Sequence, residues 1–172
     1  MSNILTRSEI EKLVQSQPPL VEDYVNLEEQ LQPNGFDLTL REVALFTSAG
    51  QIAASNSGRL ISDTMPLPFD GQGFINLPPG GYLVTFNEVV HLRDDITALG
   101  APRSSLLRSG VTVETAIWDA GYSGRSRSLL VVHNPAGFRI QRDARIMQLV
   151  FLRLDGKTDS YRGKYQGEDI AH

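Results

Sequence analysis

The chain has 172 residues, with 16 Lys and Arg against 20 Asp and Glu, a formal net charge of −4, 41% apolar residues and no cysteine. That is one domain of ordinary size, able to bury about two-thirds of the surface its unfolded form exposes, and it has no disulfide framework, thiolate metal site or cysteine nucleophile. The opening "MSNILTRSEIEKL" mixes acids and bases where a leader would be apolar, and no apolar run approaches about 18 residues, so a cytoplasmic protein outside the membrane is expected.

In chain order, "ILTRSEIEKLVQSQ" predicts a short amphipathic helix. Thr6 is its N-cap, Glu9 completes a capping box, Ile10, Leu13 and Val14 form the apolar stripe, and Pro18-Pro19 ends it. No long helical period follows. The runs "FDLTLREVALF", "GYLVTF", "GVTVETAIW", "SLLVVHN" and "ARIMQLVFLRL", each bounded by Gly, Pro, Asn or Asp, predict strands. Strands this closely spaced predict an all-β antiparallel sandwich or barrel rather than βαβ units. Residues 47–73, polar and rich in Gly and Ser, read as a long excursion with room for a short strand, not as a domain boundary.

Charge is unevenly spread along this order. Residues 1–102 hold 5 Lys/Arg against 13 Asp/Glu, whereas residues 103–164 hold 11 against 5. The basic part opens with "PRSSLLRSG" at 102–110, which is either a solvated face or an anion site in which arginines grip phosphate and serines complete the cradle. Nucleic acid is not expected: the pI is about 5.3 and aromatics are not interleaved with the arginines.

Several chemistries are excluded. A zinc nucleobase deaminase needs His-x-Glu and Cys-x-x-Cys, and here there is no cysteine and the histidines are only His91, His133 and His172. His133, beside an apolar run, reads as a packed or hydrogen-bonded residue. "GKT" at 156–158 lacks the earlier glycine of a phosphate-binding loop, and no Gly-x-Ser-x-Gly elbow occurs.

Four pieces remain: "NGFDL" at 34–38, "PRSSLLRSG", "AIWDAGYSG" at 116–124 and "YRGKYQG" at 161–167. Their order and spacing, with "ARIMQLVF" at 144–151, resemble the family that unites trimeric dUTP nucleotidohydrolases with dCTP deaminases. The resemblance spans nearly the whole chain and is clearest between residues 99 and 167. It implies a β-clip fold, a distorted antiparallel barrel with a short N-terminal helix, over a single domain 1–172. Residues 155–172 would be a C-terminal tail closing over the active site. It also implies a homotrimer with sites between subunits, a deoxynucleoside triphosphate as substrate and Mg²⁺ as cofactor. Carried over by position, Arg103, Ser104, Ser105, Arg108 and Gln148 are similar to the residues that hold the phosphates, and Tyr161, Lys164 and Gln166 to those of the closing tail, with Arg162 as an extra phosphate contact. Tyr122 is similar to the aromatic under the deoxyribose. The base would be read by backbone of residues 111–117, Ala116 and Ile117 included. Asp119 is similar to the aspartate that positions the attacking water, and Asp37 to the first-motif aspartate, structural or in contact with magnesium through water and not a direct ligand.

The two branches of that family part at a glutamate on the strand after the Asp-x-Gly-aromatic turn, which serves the deaminases in general acid-base chemistry. Its equivalent falls on Leu129 counting from Asp119, or on Val131 counting back from Asn134, and no Asp or Glu occurs between Asp119 and Asp143. The expected activity is therefore dUTP diphosphatase. The alternatives are a dCTP deaminase, alone or bifunctional, and a non-catalytic dNTP-binding module. The hairpin between Arg108 and Asp119 is shorter than in the deaminases, and Glu114 stands near where they carry a histidine. It reads as an exposed hairpin residue.

Overall fold

Thr6 starts the first helix as its spacing predicts. In the computed structural model of the chain, which describes residues 3–170, α1 spans Arg7–Val14, and Ile10 and Val14 are buried on its inner face. The Thr6 backbone N–H and hydroxyl donate to Glu9 Oε2 at 2.9 and 2.8 Å, so one carboxylate satisfies the exposed helix start.

Behind α1 come β1 (Val21–Glu22), the helical turn α2 (Leu27–Gln30), β2 (Leu31–Gln32) and the long β3 (Gly35–Phe46). Residues 47–63 then leave the sheet, cross-bridge Gln51 to Leu60, and return as β4 (Thr64–Pro66) beside β3. The remaining elements are β5 (Phe74–Leu77), β6 (Gly80–His91), β7 (Ile96–Pro102), α3 (Ser104–Arg108), β8 (Val111–Glu114), β9 (Ser123–Val132), β10 (Phe138–Gln141) and β11 (Arg145–Arg153).

The main sheet runs β7-β11-β3-β6-β9-β8, with β1, β2 and β4 as side pairings, while β5 and β10 form a separate ribbon. Its pairs are antiparallel, and the two ends of the series are stitched together. Ala98 of β7 and Trp118 exchange both backbone hydrogen bonds, at 3.0 and 3.1 Å, so the sheet is nearly closed into a barrel there. Phe36, Leu40, Phe86, Leu130 and Phe151, all 0% exposed, fill the space this closure encloses. Each such side chain contributes roughly 1.5–3 kcal/mol by leaving water.

Gly35 is set by packing. A Cβ there would lie 2.2 Å from the Leu149 carbonyl oxygen, so β3 and β11 approach this closely only over hydrogen. β6 carries a bulge between Thr85 and Val89, which turns Glu88 into the interior. Glu88 is 0% exposed; its Oε1 accepts from the Thr39 hydroxyl and Gln30 Nε2, both at 2.6 Å, and its Oε2 from the Thr39 N–H at 2.9 Å.

The all-β class and the N-terminal helix match the expectation, with three differences of detail. "GVTVETAIW" pairs with β9 only through Val111–Glu114, because residues 115–118 peel away to reach β7. "PRSSLLRSG" contains the one-turn helix α3. "ITALGAP", with little alternation to mark it, is strand β7. Among the described residues, no helix is long and apolar enough to cross a membrane.

Candidate active site

The turn from Asp119 to Tyr122 closes through a Tyr122 N–H to Asp119 carbonyl bond of 3.1 Å. Gly121 takes φ +80° there, and a Cβ on it would sit 2.7 Å from Ser160 Cα in the C-terminal tail. Glycine thus serves both the left-handed backbone and the close approach. The Tyr122 ring, 7% exposed, meets Tyr161 edge-on at a centroid distance of 5.7 Å. Trp118 Nε1 donates to Ser126 Oγ at 2.6 Å, a hydroxyl that also lies 3.3 Å from the Tyr122 hydroxyl. Burial pushes the Tyr122 phenol above its ordinary value.

These groups border a cavity of about 470 Å³. Five of the residues expected at the site line it: Ala116, Ile117, Asp119, Tyr122 and Tyr161. Seven the sequence reading did not assign line it too: the polar or aromatic Trp118, Ser126, Arg127, Tyr165 and Glu168, with Ile61 and Leu83. Trp118 and Ser126 could have been anticipated from their place within two residues of the quoted "AIWDAGYSG" motif. Arg127 and Glu168 could not, since only the fold brings the tail onto β9.

The tail is docked on its own chain. Tyr161 N–H donates to the Ala120 carbonyl at 2.9 Å, Gly167 N–H to Ser123 at 2.8 Å, and Arg125 N–H to the Glu168 carbonyl at 2.8 Å. Gln166 spans the turn, accepting from Ser123 N–H and donating to the Gly121 carbonyl, each at 3.0 Å. Arg127 holds the Asp169 carboxylate and lies 3.8 Å from that of Glu168. Lys164 Nζ lies 5.9 Å from the Tyr165 ring centroid, and Arg162 is exposed.

The remaining expected residues form a second group that does not line this cavity. Arg103 leads into α3, where Ser104, Ser105 and Arg108 are exposed on one turn. Arg103 Nη1 lies 2.8 Å from Asp37 Oδ2, and Arg145 Nη1 lies 3.5 Å from the same oxygen. Gln148 is the cross-strand partner of Asp37. Asp37 is 1% exposed; burial pushes its carboxyl above the ordinary value, and the two guanidiniums pull it back. With both arginines at Oδ2, Asp37 does not fit as a direct Mg²⁺ ligand, and among the described residues no three His, Asp or Glu side chains gather to hold a metal.

On β9, Leu129 faces Leu83 and Glu114 in register and Val131 faces Gly81 and Thr112. The carboxylates that line the cavity are those of Asp119 and Glu168. Glu114 is exposed and takes a bond from the Thr112 hydroxyl.

A nearly closed antiparallel sheet with a short helix at its start is the fold of the dUTPase and dCTP deaminase class. The 2'-deoxycytidine 5'-triphosphate deaminase from Agrobacterium tumefaciens superposes with a TM-score of 0.67 at 22% identity, over 88% of this chain and 48% of that one, so this chain spans about half that protein's length. Residues 4–154 match the family model described as dCTP deaminase-like, and the chain belongs to that family. It is 48% identical, over 96% of its length and 98% of the relative's, to a probable deoxyuridine 5'-triphosphate nucleotidohydrolase of Methanosarcina mazei. Proteins with the same description from Archaeoglobus fulgidus (47%, covering 97% and 98%) and Aeropyrum pernix (38%, covering 81% and 87%) are similar to it as well.

Proposed function

We propose that the chain is a dUTP diphosphatase, which hydrolyses dUTP to dUMP and pyrophosphate by attack of water on the α-phosphorus. The observation that carries this reading is where the carboxylates lie. Asp119 borders the aromatic cavity, whereas β9 offers only Leu129 and Val131 where a deaminase needs its glutamate. The description shared by relatives at 47 to 48% identity supports the same reaction.

In this reading the deoxyribose packs on Tyr122, backbone of residues 111–117 reads the base, and Asp119 orients the attacking water and accepts its proton. Phosphate charge is met by Arg103, Arg108, Gln148 and the serines of α3. Tyr161 and the rest of the tail exclude bulk water. Mg²⁺ bound with the triphosphate would be held by the phosphate oxygens rather than by any side-chain set described above, and would neutralise part of their charge. That the expected phosphate residues do not line the cavity supports a complete site formed between subunits of a homotrimer. Leu99, Leu107 and Ile117, 47%, 55% and 62% exposed, are apolar surface for that assembly.

A panel of dNTPs assayed for pyrophosphate and ammonia release tests the reading. The expected result is pyrophosphate from dUTP, no ammonia from dCTP, and a loss of about 10²- to 10⁴-fold in kcat for Asp119→Asn. Ammonia release, or an Asp119→Asn variant of full activity, overturns it.

A further inference from the structure

Trp118 and Ser126 border the cavity, yet the reading above gives neither of them a role. Both are buried, at 5% and 6% exposed. They are bonded to each other, Trp118 Nε1 donating to Ser126 Oγ at 2.6 Å. An indole nitrogen only donates, whereas a hydroxyl carries one proton and two lone pairs. In this bond Ser126 is therefore the acceptor, and its own proton is left over.

That proton has no close partner on the protein. The other contact of the Ser126 hydroxyl among the described residues is Tyr122 Oη, at 3.3 Å. A well-made bond between two hydroxyls is shorter, at about 2.7–2.8 Å. Had Ser126 served only the indole, its unused proton would be a buried liability; beside a cavity it is a donor for a ligand oxygen. The strand isolates it for that use. Ser126 stands between Arg125 and Arg127, which pair with Val89 and Thr85 on either side of the β6 bulge. Both arginines are engaged with other groups, Arg125 with Asp23 and the Asp169 carbonyl, Arg127 with the Asp169 carboxylate.

We infer that Ser126 is a further substrate-binding residue, donating its O–H to an acceptor oxygen of the deoxynucleoside, and that Trp118 is the positioning residue that aims it. The 3'-hydroxyl of the sugar and the carbonyls of the base both offer such an oxygen. This rests on the diphosphatase reading for the identity of the nucleotide, but dUMP probes the contact without turnover.

The experiment uses the full chain, its Ser126→Ala and Trp118→Phe variants, and the double variant that combines them, each with its melting profile recorded. The double variant removes both ends of the bond, so the hydroxyl is lost without leaving an indole N–H buried alone. Calorimetric titrations with dUMP, with its 3'-deoxy analogue and with its 2-thio and 4-thio analogues are paired with KM and kcat for dUTP. Ser126→Ala and the double variant are expected to weaken dUMP binding about three- to tenfold and to raise KM by a similar factor. Trp118→Phe, which keeps the hydroxyl but not its aim, loses a smaller factor. The loss should vanish for the analogue that lacks the partner oxygen, which tells sugar from base, whereas a purely structural role weakens all four ligands alike. Equal losses across the four, or wild-type dUMP affinity in both variants that lack the hydroxyl, overturn the assignment of Ser126. Wild-type affinity in Trp118→Phe overturns that of Trp118. A wild-type protein that binds dUMP but releases no pyrophosphate from dUTP sinks the diphosphatase reading instead, and the dUMP comparison still decides Ser126. One that neither binds dUMP nor turns over dUTP overturns both.

Discussion

At Glu88 three donors converge on one carboxylate inside the sheet, and burial still dominates, pushing its pKa from 4.5 up to about 7. The folded protein therefore keeps a proton that the unfolded chain gives up between those values. Stability from this group is fully present below pH 4.5 and is lost as the pH rises towards 7, by roughly 1.4 kcal/mol per unit. Glu88→Gln removes the titration and costs a roughly constant amount for one misdirected amide. Melting temperatures across pH 4.5 to 8 should show the wild type gaining on Glu88→Gln as the pH falls; a constant difference would mean that Glu88 does not titrate there. Nothing in "TFNEVV" marks this residue. A glutamate beside an asparagine reads as solvent-facing, and only the bulge between Thr85 and Val89 turns it inward. Asp119 and Tyr122, in contrast, stand together in the short contiguous segment that carries the family resemblance, and the structure places both at the cavity.

The tail and the turn it crosses belong to the scale of elements. Its chemistry is readable as Tyr161, Lys164 and Gln166, but its docking is not, because most of its partners are backbone groups of residues 120–125 that no side-chain pattern announces. α1 is legible for the opposite reason: its capping box is local, and Thr6 and Glu9 need nothing beyond each other. Strand β7 is hidden because Gly100 and Pro102 break its alternation. At Gly121, alanine meets two costs together, a left-handed φ of +80° and a Cβ 2.7 Å from Ser160. Gly121→Ala is expected to destabilise the protein by about 1–3 kcal/mol and to speed limited proteolysis within residues 155–170 more than elsewhere. An unaltered cleavage pattern in the tail would show that the turn does not hold it.

For the whole molecule, the consequence lies in the separation of the two half-sites. Barrel closure through Ala98 and Trp118 fixes the cavity beside Tyr122, while the β3-β11-β7 end of the same sheet carries Asp37, Arg145 and Arg103. The expected phosphate residues do not line that cavity in one chain, and in the proposed homotrimer a second copy of the chain completes the site. The proposed trimer then makes a prediction that no single-chain site shares. Asp119→Asn supplies an intact phosphate group and Arg103→Ala an intact water-positioning aspartate, and each is expected to be nearly inactive alone. Unfolded together in equal amounts and refolded, they form mixed assemblies in which about a quarter of the sites pair the two intact halves. Pyrophosphate release from dUTP should recover to about that fraction of the wild-type rate, and should stay at background when the variants are refolded separately and mixed afterwards without subunit exchange. Background activity after joint refolding, with sedimentation showing mixed trimers, would place both halves of the site in one chain and remove the functional reason for the assembly.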